Sequence, residues 1–102
     1  MVLYEMANVS KQDTGLPYDI WIDSLGKDRK IEHNPPRIKV DVEGDLVPVS
    51  LEEEPRILVD KKIRKFSLIR KYIKKYLNIF LKHWNKEISD REALNLLNKL
   101  ED

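Results

Sequence analysis

The hydrophobic period of this chain changes once, from two to about 3.6, and that switch bounds the folds open to it. Between Arg37 and Val42 the pattern alternates strictly. Ile38, Val40 and Val42 share one face of an extended segment, and Arg37, Lys39 and Asp41 share the other, as a half-buried strand requires. Glu43-Gly44-Asp45 supplies a tight turn, with Gly44 free to take positive φ. Leu46 to Leu51 returns with Val47, Val49 and Leu51 on one face. Pro48 cannot donate to a ladder, so this strand is expected at an edge or bulged. Past Asp60 the spacing becomes helical. Phe66, Ile69, Ile73, Leu77, Phe80, Leu81 and Trp84 fall on one arc of a single long helix, beginning near Asp60 or Ser67 and ending at Asn85. Leu68, Tyr72, Tyr76 and Ile79 widen that arc.

The rest of the chain reads around this core. Tyr18 to Asp23 is aromatic and β-branched, with acids interleaved, and reads as the first good strand. Ser24 to Asp28 reads as a turn, and Asn34-Pro35-Pro36 biases Asn34 to an extended shape. Arg56 to Val59 is a short candidate fourth strand, and Val2–Met6 a weak candidate edge strand. Ser89-Asp90-Arg91-Glu92 has the form of a capping box. A short helix follows it, with Ala93, Leu94, Leu97 and Leu100 as its apolar stripe. Residues 1–16 show no sustained period and are expected to form a flexible tail, with 17–102 as a single domain. The fold class is therefore α+β: a small antiparallel sheet of three or four strands, one long helix and one short C-terminal helix.

Charge is sorted along the chain. From Asp41 to Asp60 there are seven acids and one base, Arg56. From Lys61 to Lys86 there are ten Lys/Arg and no carboxylate. On a helical wheel Lys71, Lys74, Lys75, Lys82 and Lys86 form one solvent-facing ridge, with Asn78 and Asn85 between them. Like charges at i,i+4, such as Lys71/Lys75 and Lys82/Lys86, cost a few tenths of a kcal/mol each. Three things can offset that cost: solvent, the chain's own acidic stretch, or an external partner. A phosphate backbone would suit the ammonium groups, but the ridge carries mostly Lys, whereas base reading favours Arg, Asn or Gln at groove depth, so such contact would be weakly sequence-specific. An acidic protein surface would suit them equally.

Composition removes several chemistries. With no cysteine among 102 residues, disulfides, thiolate metal sites and cysteine nucleophiles are excluded. The formal net charge of +1 implies no acidic partner by itself. The glycines at 15, 26 and 44 are too far apart for a phosphate-cradling loop. No stretch is long and apolar enough to span a bilayer, and Met1 to Gly15 lacks the basic-then-apolar order of a signal peptide. The expectation is a cytoplasmic protein with no cofactor, no metal and no membrane.

The candidate reacting groups are few. His33 lies in Glu32-His33-Asn34, and His83 precedes Trp84 on the long helix. No two histidines stand at i,i+4, and Glu32 and His33 would need Asp19 or Asp23 brought to them to hold a metal. His33 as a general base would need a charge stabiliser, and Arg37 is the nearest in sequence. His83 is expected at the border of the apolar arc, bonded to backbone or solvent. Trp21 and Trp84 read as core or core-rim aromatics.

The run Glu32-His33-Asn34-Pro35-Pro36-Arg37-Ile38-Lys39-Val40 resembles a small bacterial family, domain of unknown function 4160. Ile20-Trp21-Ile22 before it and His83-Trp84-Asn85-Lys86-Glu87 after it parallel the family's strand and helix end, so the resemblance covers about residues 16–88. The family's two histidines after the prolines are Arg37 and Lys39 here, so their acid–base or metal role does not carry over. The resemblance implies an intracellular bacterial protein of compact α+β form. Some relatives are encoded beside small DNA-binding proteins and are suspected members of toxin–antitoxin-like pairs.

The reading that follows is a non-enzymatic interaction module. Its surface is the ridge Lys71, Lys74, Lys75, Lys82 and Lys86, with Arg37 and Lys39 as a second basic patch. Its partner is a protein, including a second copy of the chain held by an exposed patch of Leu68, Tyr72 and Ile79. The alternatives are nucleic acid on the lysine ridge, or a small enzyme using His33 and Arg37.

Overall fold

The computed structural model describes residues 6–23 and 36–98. Strands β1 (Met6–Val9), β2 (Ile20–Asp23), β3 (Arg37–Val42) and β4 (Asp45–Ser50) form an antiparallel sheet in chain order. Helices α1 (Lys11–Thr14), α2 (Phe66–Lys75), α3 (Leu77–Trp84) and α4 (Asp90–Leu96) complete the α+β fold. No described helix is long and apolar enough to cross a membrane.

The β3–β4 hairpin follows from its alternation. Ile38 pairs with Val49 and Val40 with Val47, and all four are buried. Each such side chain contributes about 1.5–3 kcal/mol of transfer free energy. Glu43 and Gly44 both take positive φ, 53° and 93°, as a two-residue type I′ turn demands. Gly44 N–H donates to Asp41 Oδ1 at 2.9 Å and locks the turn.

Pro48 sits where its missing donor costs nothing. Leu51 N–H donates to Pro36 O beyond the Arg37/Ser50 pair. That pair is therefore non-hydrogen-bonded, and so is Lys39/Pro48 two residues along. The imide nitrogen of Pro48 thus points away from β3. On that outer side the 56–58 segment lies along the strand. Ser50 N–H donates to Arg56 O at 2.9 Å and Leu58 N–H donates to Pro48 O at 3.0 Å. Only a single bridge, Val49 to Ile57, results. The fourth strand is therefore β1 and not Arg56–Val59.

The described part of the expected tail is ordered against the core. β1 pairs with β2 from Met6↔Asp23 to Val9↔Ile20. The polar run after it is a capped helical turn. Ser10 accepts from Asp13 N–H, Asp19 Oδ1 accepts from Lys11 N–H at 2.7 Å, and Gly15 closes the turn at φ 78°. Val9, Thr14 and Leu16 are buried as a result. Polar residues hid this segment from a periodicity reading, because its burial is spread over isolated side chains.

The expected long helix is two helices. Tyr76 leaves helical geometry at φ −113°, ψ 23° and separates α2 from α3. No Gly or Pro marks the break. It falls at an aromatic cluster, with the Tyr72 and Tyr76 rings 4.9 Å apart and Phe80 edge-on to Tyr72 at 6.2 Å. Ile69, Tyr72, Ile73, Phe80, His83 and Trp84 are still buried, so the helical period survives the break. The helix starts at Phe66 after Lys65, which takes φ 60° and gives no side-chain cap.

α4 begins as its capping box requires. Glu92 N–H donates to Ser89 Oγ at 3.1 Å, and Ser89 N–H donates to Glu92 Oε1 at 3.2 Å. Ala93 and Leu97 are buried, Leu94 is exposed, and Leu100 lies outside the described residues. Two polar contacts hold the helix in place. His83, buried rather than bordering solvent, meets Asp90 Oδ1 through Nε2. Tyr72 donates its hydroxyl to Asn98 O at 2.8 Å.

Burial raises the Tyr72 pKa above its ordinary 10.0, and Tyr76 and Asp13 add to the effect. The unfolded chain therefore releases this proton first. The stabilisation is complete below the unfolded pKa and is lost as pH rises from there toward the raised folded value. Tyr72→Phe is expected to cost about 1 kcal/mol at neutral pH and to flatten the alkaline loss of stability. Urea denaturation at neutral pH and above pH 10 checks both.

Candidate functional site

The outer face of α2 and α3 carries the predicted ridge. Lys71, Lys74, Lys75, Lys82 and Lys86 are all exposed there, with Asn78 among them. The helical period places them opposite Ile69, Ile73 and Phe80, which enter the core. Lys75 Nζ lies 5.4 Å from the centroid of the Tyr76 ring. Lys86 follows α3 at φ 61°, its N–H bonded to His83 O.

The chain's own acids reach one end of this face. Glu54 Oε2 accepts from Arg70 Nη2 at 2.6 Å, and its other oxygen lies 3.8 Å from Lys74 Nζ. Glu52 pairs with Arg56 at 3.1 Å, and Asp45 with Lys61 at 3.0 Å. These pairs are exposed, so each adds little to stability. Their effect is to set charge pattern rather than stability. Arg70 was absent from the predicted ridge, although it stands i,i+4 from Lys74. That spacing was the signal that could have found it.

The 52–54 loop is anchored at both ends. Leu51 and Pro55 are buried, whereas Glu52, Glu53 and Glu54 are exposed. Ser50 is buried. Its hydroxyl donates to Glu52 and accepts from Arg56 N–H at 3.0 Å. The bond from Ser50 holds the Glu52 carboxyl below its ordinary pKa against an opposing effect of desolvation, with a lesser lowering from the Arg56 guanidinium.

Two open depressions flank the Glu54 contact. One, of about 380 Å³, is lined by Glu53, Glu54, Lys74, Lys75, Leu77 and Asn78. The other, of about 290 Å³, is lined by Ser67, Arg70, Lys71 and Lys74. Lys74 lines both. Arg70 Nε is buried and has no hydrogen-bond partner among the described residues.

The second basic patch does not join this face. Arg37 and Lys39 alternate with Ile38 and Val40, whose side chains enter the core shared with the helices. Lys39 therefore stands on the opposite side of the sheet. Arg37 is occupied in packing: its guanidinium carbon lies 5.7 Å from the Trp84 ring centroid, and Nη1 is buried without a partner among the described residues. Trp84 is buried, and Trp21 is half-buried on β2.

Of the apolar residues expected in a self-association patch, Tyr72 has no exposure, whereas Leu68 and Ile79 are partly buried and packed against the core. The exposed large apolar side chains among the described residues are Leu46, Val59, Leu94 and Leu96.

His33 and Glu32 lie outside the described residues, as do Asn34 and Pro35. The pairing of His33 with Arg37 and a metal site on Glu32 and His33 are therefore not described. Asp19 is engaged by Lys11 N–H. No group of three or more His, Cys, Asp or Glu able to hold a metal occurs among the described residues. His83 is 1 % exposed and engaged by Asp90, so its imidazole has no path to a substrate. Comparison with protein-family models, with curated proteins and with solved structures finds no match to this chain.

Removal of the Ser50 hydroxyl is expected to raise the Glu52 pKa toward the ordinary carboxylate value. A folded pKa below the unfolded one contributes stability above the unfolded value that is lost as pH falls through the folded one. Ser50→Ala should therefore weaken this acid-side dependence. Titration of the Glu52 carboxyl by NMR in both proteins measures the shift directly.

Proposed function

We propose that this chain is a non-enzymatic interaction module that docks an acidic protein partner on the outer face of α2 and α3. The observation that carries the reading is Glu54 on Arg70 and Lys74, because it demonstrates a carboxylate already accommodated on that face. Lys71, Lys75 and Lys82 continue the basic surface for roughly 16 Å along the helices at 1.5 Å per residue. That length suits a short acidic segment or the face of one helix. The resemblance to the bacterial family adds context: a cytoplasmic bacterial protein working in a toxin–antitoxin-like pair would have such a partner. Lys39 lies on the other side of the sheet and belongs to a separate surface.

A second reading uses the same lysines for weakly sequence-specific contact with nucleic acid. It is favoured by the row of ammonium groups and opposed by Glu53 and Glu54 beside Lys74 and Lys75, since carboxylates repel a continuous phosphate backbone.

Charge reversal separates these readings. Wild type and a Lys71→Glu, Lys75→Glu, Lys82→Glu variant are compared by affinity capture from nuclease-treated native lysate, and by gel shift on duplex DNA at low salt. The expected outcome is a protein partner retained after nuclease treatment and lost in the variant, with no shift of DNA. A DNA shift that falls steeply with salt, and no retained protein, supports the second reading instead. Equal capture by wild type and variant removes the ridge from either role.

A further inference from the structure

We infer that Glu54 is a built-in competitor for the partner site: it holds the position that a carboxylate of an acidic partner segment takes, and the partner binds by displacing it. This rests on the reading of the α2–α3 face as a docking surface for an acidic protein. It adds the mechanism by which that surface is kept occupied when the partner is absent.

Three features support displacement. The first is access. The Glu54 side chain is 72 % exposed while its partner Arg70 is 43 % exposed, so the pair is open to solvent and competitors. Exposed pairs of this kind are weak and exchange readily for an equivalent ligand. The second is independence. Leu51 and Pro55 are buried on either side of the loop tip, and Glu52 is held separately by Ser50 and Arg56. Release of Glu54 therefore leaves the rest of the loop in place.

The third feature is incomplete satisfaction. Glu54 takes Nη2 of Arg70, and Nε is left without a partner. Its contact with Lys74 is long, at 3.8 Å. A carboxylate free of the loop's tether can keep the exposed Nη2 and close the long contact to Lys74, and further acids along the same segment can meet Lys71, Lys74 and Lys75 from the adjoining depressions. The internal ligand is thus a weaker version of the external one. That is what a competitor must be if it is to keep the basic face partly neutral yet yield to the right partner.

The test uses fluorescein-labelled octaglutamate as the probe, followed by anisotropy at low salt against the full chain. Glu54→Gln is expected to bind about three-fold tighter than wild type, the change that loss of one exposed ion pair supports. Glu43→Gln carries the same change in net charge in the remote β3–β4 turn and is expected to match wild type. In an Arg70→Gln, Lys74→Gln background the gain from Glu54→Gln should vanish. Circular dichroism confirms that each variant is folded. Equal binding by wild type and Glu54→Gln, an equal gain from Glu43→Gln, or a gain that survives in the Arg70→Gln, Lys74→Gln background overturns the competitor role while leaving the docking surface intact. No binding by either wild type or Glu54→Gln overturns both. Tighter binding of duplex DNA alone by Glu54→Gln overturns the choice of partner.

Discussion

Tyr72 has no exposure to solvent, so its hydroxyl must find an acceptor inside the protein or forfeit a hydrogen bond. It finds Asn98 O, just beyond α4. The ring meets Tyr76 at the break between the long helices and Phe80 in α3. Asp13 of α1 is near enough to raise its pKa. One side chain therefore ties α2, α3 and the end of α4 into the same packing problem. α4, at seven residues, is too short to be stable alone. It depends on that bond, on the buried His83 against Asp90, and on its own capping box. The sheet imposes a matching constraint from below, where Ile20, Ile22, Ile38, Val40, Val47 and Val49 present one apolar face that the helices must cover.

With that face covered, the outer surface of α2 and α3 is left to charge. The acidic stretch and the basic stretch, separate in the sequence, meet through a few exposed pairs: Asp45 with Lys61, and Glu54 with Arg70 and Lys74. None adds much stability. Together they make one end of the basic face mixed in sign. A surface of this kind discriminates between partners by arrangement rather than by total charge, which at +1 is nearly neutral.

Much of the framework could be read from residues in order, because it rests on local rules. Strict alternation marked β3 and β4, Gly44 marked their turn, and Ser89 with Glu92 marked the start of α4. Pro48 announced an edge, and the ladder geometry gives the reason. Other features escaped because their causes lie in packing that no spacing rule records. β1 is four residues long and gains its partner only when β2 is already in place. The break at Tyr76 has no breaker residue and arises where aromatic rings pack. Tyr72, counted as part of an exposed patch, is buried because α4 folds back over it. Arg37, counted as part of a basic patch, is drawn to Trp84.

The sequence by itself determined the α+β class, the antiparallel hairpin, the helical period beyond Phe66 and the five exposed lysines. Each depends on contacts within one element, where the spacing of side chains along the backbone decides which way they face. The tertiary structure alone decided the fourth strand, the split of the long helix, the burial of His83 and Tyr72, and the meeting of Glu54 with Arg70 and Lys74. These depend on packing between elements, and their partners are set by how the sheet and helices close around a single core.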